Sequence, residues 1–297
     1  MAVGAVLLLS ATYAVRLPTM SMPPASIPAT DTFWSQKRVL LAGASSGLGE
    51  ALARELTQRG ATLVITARRA DRLAAVADEI ARLDGIDAPS TLPMDVTAGA
   101  DALEAQVAEA AALLGGQIDV LCYAAGVGQR TTATDTSAEG HRQLMATNFE
   151  GAVTLARAVL PPMVARGSGS VVVVSSVQGF FGQPGRSSYA ASKAAMIAYF
   201  DALRAEVASR GVGVTVVAPG YIATDHSASA VGGDGSDDAN AKKGMPPEEL
   251  ATQIADAVAC GRPQLVASQL DGRVAMLLRA AWPAALFRIM EGKARKL

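Results

Sequence analysis

Two cysteines, two histidines and an aromatic content of 4% are all that 297 residues supply of these types. Cys122 and Cys260 cannot staple a scaffold, and each is read as a small buried hydrophobe. His141 and His226 are too few for a zinc-type ligand cluster; both are read as solvated side chains, His226 lying where it could touch a substrate. Charge is scarce and balanced, with 26 Lys and Arg against 27 Asp and Glu. A phosphate-backbone binder needs a basic face, so nucleic acid is not an expected partner. Long apolar runs are missing too. Met1 to Val15 carry no charge, yet fall short of the roughly 17 to 25 apolar residues of a membrane-spanning helix. What is abundant is hydrophobic surface, 50% of residues, enough to exclude disorder of the whole chain.

The first 15 residues read as a signal-type segment or shallow anchor, with small residues at Thr12 and Ala14 that suit a cleavage site. Leu17 to Thr32, rich in Pro, Ser and Thr, reads as linker or transit sequence. Residues 1–36 are therefore set apart from the fold. From Lys37 onward, β-branched runs alternate with Ala- and Leu-rich stretches of helical length, the pattern of a parallel sheet with crossover helices. Seven strands are expected at Arg38 to Ala42, Thr62 to Thr66, Ser90 to Met94, Ile118 to Tyr123, Ser170 to Ser175, Val212 to Val217 and Gln264 to Ala267. Pro93 assigns the third to an edge or a strand end. Helices are expected near Leu48 to Gln58, Asp71 to Leu83, Asp101 to Leu114, Ala138 to Ala165, Ser188 to Ser209 and Pro247 to Ala259. This predicts one doubly wound α/β domain of the Rossmann type over 37–267, with a mostly parallel seven-stranded sheet. The Gly, Asp, Ala and Lys stretch 227–246 reads as a mobile substrate lid or a plain insertion.

The first strand runs into Gly43-Ala-Ser45-Ser46-Gly47-Leu48-Gly49, and a helical pattern follows at once. Glycines there let the backbone turn tightly and approach a pyrophosphate at the positive end of a helix. The spacing G-x-x-x-G-x-G differs from G-x-G-x-x-G, so by itself it is equally a tight strand-to-helix turn. At the tip of the second strand, where an acid would bind a ribose diol, the chain has Arg68 and Arg69. Two guanidiniums favour a 2′-phosphate through charge-assisted hydrogen bonds, and hence NADP(H) over NAD.

In Ser187-Ser-Tyr189-Ala-Ala-Ser-Lys193, tyrosine and lysine share one helix face. A neighbouring ammonium, together with a cationic oxidised nicotinamide, would favour phenolate and draw the phenol towards working pH. Val171 to Ser176 reads as a buried strand ending where a doubly wound sheet places ligands, so that a serine hydroxyl can donate to a substrate oxygen. Asn148 lies inside the long helix at Ala138 to Ala165, where a polar task explains it better than propensity.

On these residues the sequence resembles the short-chain dehydrogenases/reductases over Lys37 to Ala267. The resemblance rests on Gly43-x-x-x-Gly47-x-Gly49, Asp95-Val96, Ala125-Gly126, Asn148, Ser176, Tyr189, Lys193 and Pro219-Gly220-Tyr-Ile222-Ala-Thr224. It implies Tyr189 as general acid/base, with Lys193 lowering its pKa and holding the nicotinamide ribose. It also implies Ser176 as the group polarising the carbonyl or hydroxyl, and Asn148 as support for a proton-relay water. Asp95 and Val96 would border the adenine, and Pro219 to Thr224, through the Ile222 backbone and the Thr224 hydroxyl, the nicotinamide. Two stretches depart from the family pattern: Ala42 stands for a threonine, and Tyr123-Ala124 for a pair of asparagines. Both changes remove side-chain hydrogen bonds that brace the cofactor loop and sheet.

Residues 268–297 alternate apolar clusters with Arg273, Arg279, Arg288, Lys293, Arg295 and Lys296, and Pro283 should split them into two short helices. Such a basic amphipathic segment suits a membrane interface, a pocket flap or a dimer contact. Its pattern is similar to that of membrane-associated short-chain enzymes such as dehydrogenase/reductase member seven and the 11β-hydroxysteroid dehydrogenases. That implies a lipophilic substrate such as a steroid, a retinoid or an acylated dihydroxyacetone phosphate. The two chain ends suggest placement at an endoplasmic-reticulum-like membrane, with plastid or cytoplasm as the alternatives, and a homo-oligomer is expected. Met145, Met163, Met196 and Phe200 read as core or subunit-interface packing. The sequence thus predicts an NADP(H)-dependent carbonyl/alcohol oxidoreductase. Its competitors are a non-catalytic NADP-binding regulator on the same fold and an adenosylmethionine-dependent methyltransferase.

Overall fold

A computed structural model describes residues 30–83, 85–224, 230–233 and 243–295. The anchor-like segment, His226 and most of the 227–246 stretch lie outside the described residues. The seven strands are β1 (Arg38–Ala42), β2 (Thr62–Ala67), β3 (Ser90–Pro93), β4 (Val120–Tyr123), β5 (Gly169–Val174), β6 (Val212–Pro219) and β7 (Gln264–Ala267). They form one parallel sheet in the order β3-β2-β1-β4-β5-β6-β7. Its central strands, RVLLA, VLCY and GSVVVV, read as apolar runs because both sheet faces are covered. Pro93, which cannot donate to a ladder, ends the edge strand β3.

Ten helices accompany the strands among the described residues: α1 (Thr30–Trp34), α2 (Gly47–Gln58), α3 (Ala70–Ala81), α4 (Ala100–Leu113), α5 (Ala138–Met145), α6 (Gly151–Arg166), α7 (Ser187–Val207), α8 (Pro247–Ala259), α9 (Leu270–Ala281) and α10 (Pro283–Ala294). On one face of the sheet α4, α6 and α7 bury Leu103, Leu155, Met163, Met196 and Phe200. On the other, α2, α3 and α8 bury Leu52, Leu73 and Ile254. None of the described helices is long and apolar enough to cross a membrane.

Two expectations are corrected by packing. Trp34, which the sequence leaves in the leading segment, is buried against α2 and α8, and its indole N–H donates to Ala255 O at 3.1 Å. The domain therefore starts before residue 37. The helix expected over Ala138 to Ala165 is broken by a π turn at Ala146–Glu150, which carries Asn148. The C-terminal residues fold into two helices at Pro283, as the proline suggested. Val177, Phe181, Ala275, Leu286 and Met290 make a third apolar cluster that closes one end of the sheet.

The strand order reverses between β1 and β4, and a crevice opens there at the carboxyl ends. Gly43, Ala124, Ser175 and Gly220, each the residue after its strand, all line it.

Candidate active site

The crevice is a cleft of about 1160 Å³ running from the glycine turn to the C-terminal helices. At the turn, Gly43 (φ +90°) and Gly47 (φ +58°) adopt left-handed backbone that L side chains rarely take. A Cβ on Gly43 would stand 2.4 Å from Ala125 N, and one on Gly49 2.0 Å from Gly43 O, so the turn closes on itself and on the loop after β4. The turn is braced by Thr66 O, which accepts from Gly43 N (2.8 Å) and Ala44 N (3.1 Å). Ser46 precedes α2 without capping it through its side chain, which leaves the helix's first amides facing the cleft end.

Arg69 holds the outer end. Its Nη2 donates to Ser45 Oγ at 2.9 Å and to Ser46 Oγ at 3.2 Å. Arg68 lines the same stretch, as do Arg54 and Arg72, which sequence reasoning missed. Arg72 could have been found from its position one helical turn beyond Arg69; Arg54 carried no local signal and is paired with Glu79 at 3.1 Å. Val96 lines the cleft, whereas the Asp95 carboxylate accepts from Thr97 N (3.0 Å) and Thr97 Oγ1 (2.8 Å). Burial works against its charge, but those two bonds and the Arg68 guanidinium hold it below the usual carboxylate range.

Ser176, Tyr189 and Lys193 meet in the middle of the cleft. Ser176 follows β5; its Oγ accepts from Gln178 N at 3.2 Å, donates to Pro219 O at 3.4 Å and stands beside the Tyr189 phenol. Burial raises the phenol above its ordinary value, the Ser176 hydroxyl and the Arg186 guanidinium pull it back, and the neighbouring Tyr221 adds to the rise. The Lys193 Nζ donates to Val174 O at 2.8 Å and lies 5.8 Å from the Tyr189 ring centroid. Burial in turn pushes the Lys193 ammonium down to about 8.

Asn148 is fully buried and its amide is spoken for: Oδ1 accepts from Val127 N (2.8 Å), and Nδ2 donates to Val127 O (3.0 Å) and Ser192 Oγ (3.0 Å). Those three bonds tie the π turn to the β4 loop and to α7, so the side chain acts as a clamp. Tyr123 departs from the family pattern without leaving a gap. Its buried ring reaches further than an amide would, and its hydroxyl donates to Thr147 O, beside Asn148. Ala125, Gly126, Pro219, Gly220, Ile222 and Thr224 complete the cleft, with Gly220 N on Ala267 O at 2.8 Å.

Beyond Tyr189 the wall is made by Gln178, Phe181, Ala275, Met290 and Lys293, the last three from α9 and α10. Only the alternation of apolar and basic residues hinted at this flap. His141, expected to be solvated, is half-buried on α5 with Nδ1 against Ser188 Oγ. The Cys122 thiol is buried and pushed up to about 12, so it is inert. An uncapped helix start beside glycine backbone, four arginines at one end and a buried lysine at the centre fit the phosphates and ribose of a dinucleotide.

Residues 37–233 match the family described as short chain dehydrogenase. The chain is 42% identical over 266 residues to dehydrogenase/reductase SDR family member 7B of Danio rerio, covering 88% of this chain and 86% of that protein. It is 39% identical over 267 residues to a dehydrogenase/reductase SDR family protein 7-like of Drosophila melanogaster, covering 88% and 81%. Among solved structures, a short-chain dehydrogenase from Streptomyces avermitilis superposes with a TM-score of 0.71 at 28% identity, over 88% of this chain and 99% of that one.

Proposed function

The chain belongs to the short-chain dehydrogenase/reductase family of oxidoreductases, which use a nicotinamide cofactor; from that premise we propose that it is an NADP(H)-dependent enzyme interconverting a carbonyl and a secondary alcohol on a lipophilic substrate. The observation that carries this reading is the convergence of Ser176, Tyr189 and Lys193 in a cleft whose far end is lined by Arg54, Arg68, Arg69 and Arg72. When bound, the nicotinamide supplies or takes the hydride. Tyr189 gives its phenolic proton to the oxygen of a carbonyl being reduced, or takes the proton of an alcohol being oxidised. Ser176, beside that phenol, turns its hydroxyl from Pro219 O to donate to the same substrate oxygen. Lys193 holds its ammonium against Val174 O within reach of a ribose, and Asn148 fixes the loop and helix that carry these groups. A turnover assay with NADPH, NADH and a panel of aliphatic and steroid ketones tests the proposal. NADPH-dependent reduction supports it; NADPH binding without turnover across the panel would favour the regulator.

The raised phenol pKa sets the pH behaviour. A phenol that keeps its proton at neutral pH is a ready acid for reduction, whereas oxidation needs phenolate. Reduction should therefore be flat through neutrality and fall in the alkaline range, while oxidation climbs there; kcat measured in both directions reads this. Lys193 makes a second, structural prediction. Its folded pKa of about 8 lies below the ordinary 10.5, so between those values the unfolded chain binds a proton that the folded chain has released. Stability conferred by this site is thus lowest below pH 8 and rises with pH across that window. Urea unfolding of the wild type relative to Lys193→Met should show this gain.

The lipophilic substrate and a membrane contact rest on the C-terminal helices. Phe181, Ala275 and Met290 give the substrate end an apolar wall. On the outer side Leu270, Val274 and Leu277 stand exposed at i, i+4 and i+7 of α9, followed by Trp282 and Phe287, with Arg273, Arg279 and Arg288 alongside. An exposed apolar stripe with Trp and arginines suits the surface of an anionic bilayer. The full-length protein should sediment with vesicles containing anionic lipid, and Leu277→Glu with Trp282→Glu should release it. A chain that stays soluble with vesicles at low salt yet dimerises through this stripe would replace the membrane by a second copy.

A further inference from the structure

Tyr189 is the third residue of α7, so its backbone N–H falls among the first-turn amides that have no partner within the helix. The first bond inside α7 runs from Ala190 N to Arg186 O, and Arg186 at the N-cap makes no side-chain cap. The acceptor for Tyr189 N comes instead from 60 residues away, as Gln129 Oε1 at 3.0 Å. Gln129 is fully buried in the loop after β4. Its Nε2 donates to Thr136 Oγ1 (2.8 Å), Thr131 O (3.2 Å) and Ser187 Oγ (3.4 Å). Its backbone is held as well, between Arg130 N donating to Val231 O (2.9 Å) and Val231 N donating to Gly128 O (2.9 Å). A glutamine fixed at every polar atom and aimed at one amide is a brace with little freedom of its own.

We propose that Gln129 is a positioning residue for Tyr189: it caps α7 from outside the helix and so fixes where the phenol stands relative to Ser176. The proposal rests on the reading of Tyr189 as the proton-exchanging group. Asn148 reaches the next turn of α7 through Ser192 Oγ, and Ser192 Oγ in turn donates to Tyr189 O at 2.8 Å. The backbone of Tyr189 is thus held at its N–H by Gln129 and at its carbonyl by the Asn148 clamp, and neither clamp touches the phenol. Such a pair is suited to setting the placement of a reacting oxygen, to which rate is steep.

The test has two independent readouts. Amide hydrogen exchange on the full-length wild type should show the Tyr189 N–H protected although no helical acceptor serves it. Exchange as fast as at an open first-turn amide would overturn the proposal without any variant. Gln129→Met, close in shape but without hydrogen bonds, should speed exchange at Tyr189 and lower kcat by about 10-fold or more, with the dissociation constant for NADPH within about two-fold of wild type. Gln129→Glu, which keeps an acceptor for the amide, should restore slow exchange there. Unchanged kcat in Gln129→Met, or a kcat loss matched by lost NADPH affinity and faster exchange throughout α7, contradicts positioning. If Tyr189→Phe still turns over ketones, the functional reading fails while the exchange data alone decide whether Gln129 caps the helix.

Discussion

Tyr189→Phe should lower kcat for ketone reduction by about 10²- to 10⁴-fold, the span associated with removing a positioned general acid. The size follows from what stands around the oxygen. Of the groups around the phenol, Ser176 accepts from Gln178 N and is itself too weak an acid, Lys193 is turned onto Val174 O, and the Tyr221 phenol also lines the cleft, so a loss at the lower end of that span would mark Tyr221 standing in for the proton. The change should be confined to chemistry. The ring stays, the clamps on the Tyr189 backbone involve only its N–H and carbonyl, and the arginine end of the cleft is remote from the hydroxyl. NADPH affinity and thermal midpoint should therefore remain close to wild type. A fluorescence titration with NADPH beside the kinetic assay separates lost chemistry from a lost cofactor.

The second large effect is expected at the other end of the cleft. Arg69→Gln should weaken NADPH binding by about 10- to 100-fold, as expected for one or two charge-assisted hydrogen bonds to a phosphate, and change NADH binding by about two-fold at most. Arg69 is favoured over Arg68 for this because Ser45 Oγ and Ser46 Oγ already fix its guanidinium at the turn, so little side-chain entropy remains to be lost on binding. Arg68 faces the Asp95 carboxylate, and part of its charge is spent there. Equal loss for both cofactors would mean that Arg69 shapes the glycine turn rather than reading the ribose. Calorimetric titrations of the two nucleotides against wild type and variant distinguish these outcomes.

How much of this was legible in the sequence follows from the range of the forces involved. The strands could be read because a sheet covered on both faces leaves apolar runs such as Val171 to Val174, and the glycine turn because Gly43 and Gly47 need backbone that other residues avoid. The pairing of Tyr189 with Lys193 on one helix face needed only the helical repeat. What was not legible depends on partners distant in the chain. The sequence reads as one helix from Ala138 to Ala165, and the π turn is found where Asn148 and Thr147 are claimed by Val127, Ser192 and Tyr123. Trp34 is in the core only because α8 offers Ala255 O. Loss of asparagine at position 123 looked like a missing brace, and only the reach of the tyrosine to Thr147 shows the bond remade. The orientation of Lys193 is of the same kind, since spacing puts it near the phenol but not which carbonyl its ammonium chooses. Gln129 carried no signal at all, for a buried amide in a loop is informative only when its partners are seen.

The central claim is that one cleft brings a nicotinamide hydride and the Tyr189 proton to the same carbonyl. It is tested most directly by running the reduction with NADPH carrying deuterium at both C4 positions of the nicotinamide, in ordinary water, and locating the label in the alcohol. The account predicts deuterium on the carbinol carbon, none on the hydroxyl, and labelled product falling away in Tyr189→Phe while NADPH stays bound. Alcohol formed without label at that carbon, or at undiminished rate in the phenylalanine variant, would contradict it.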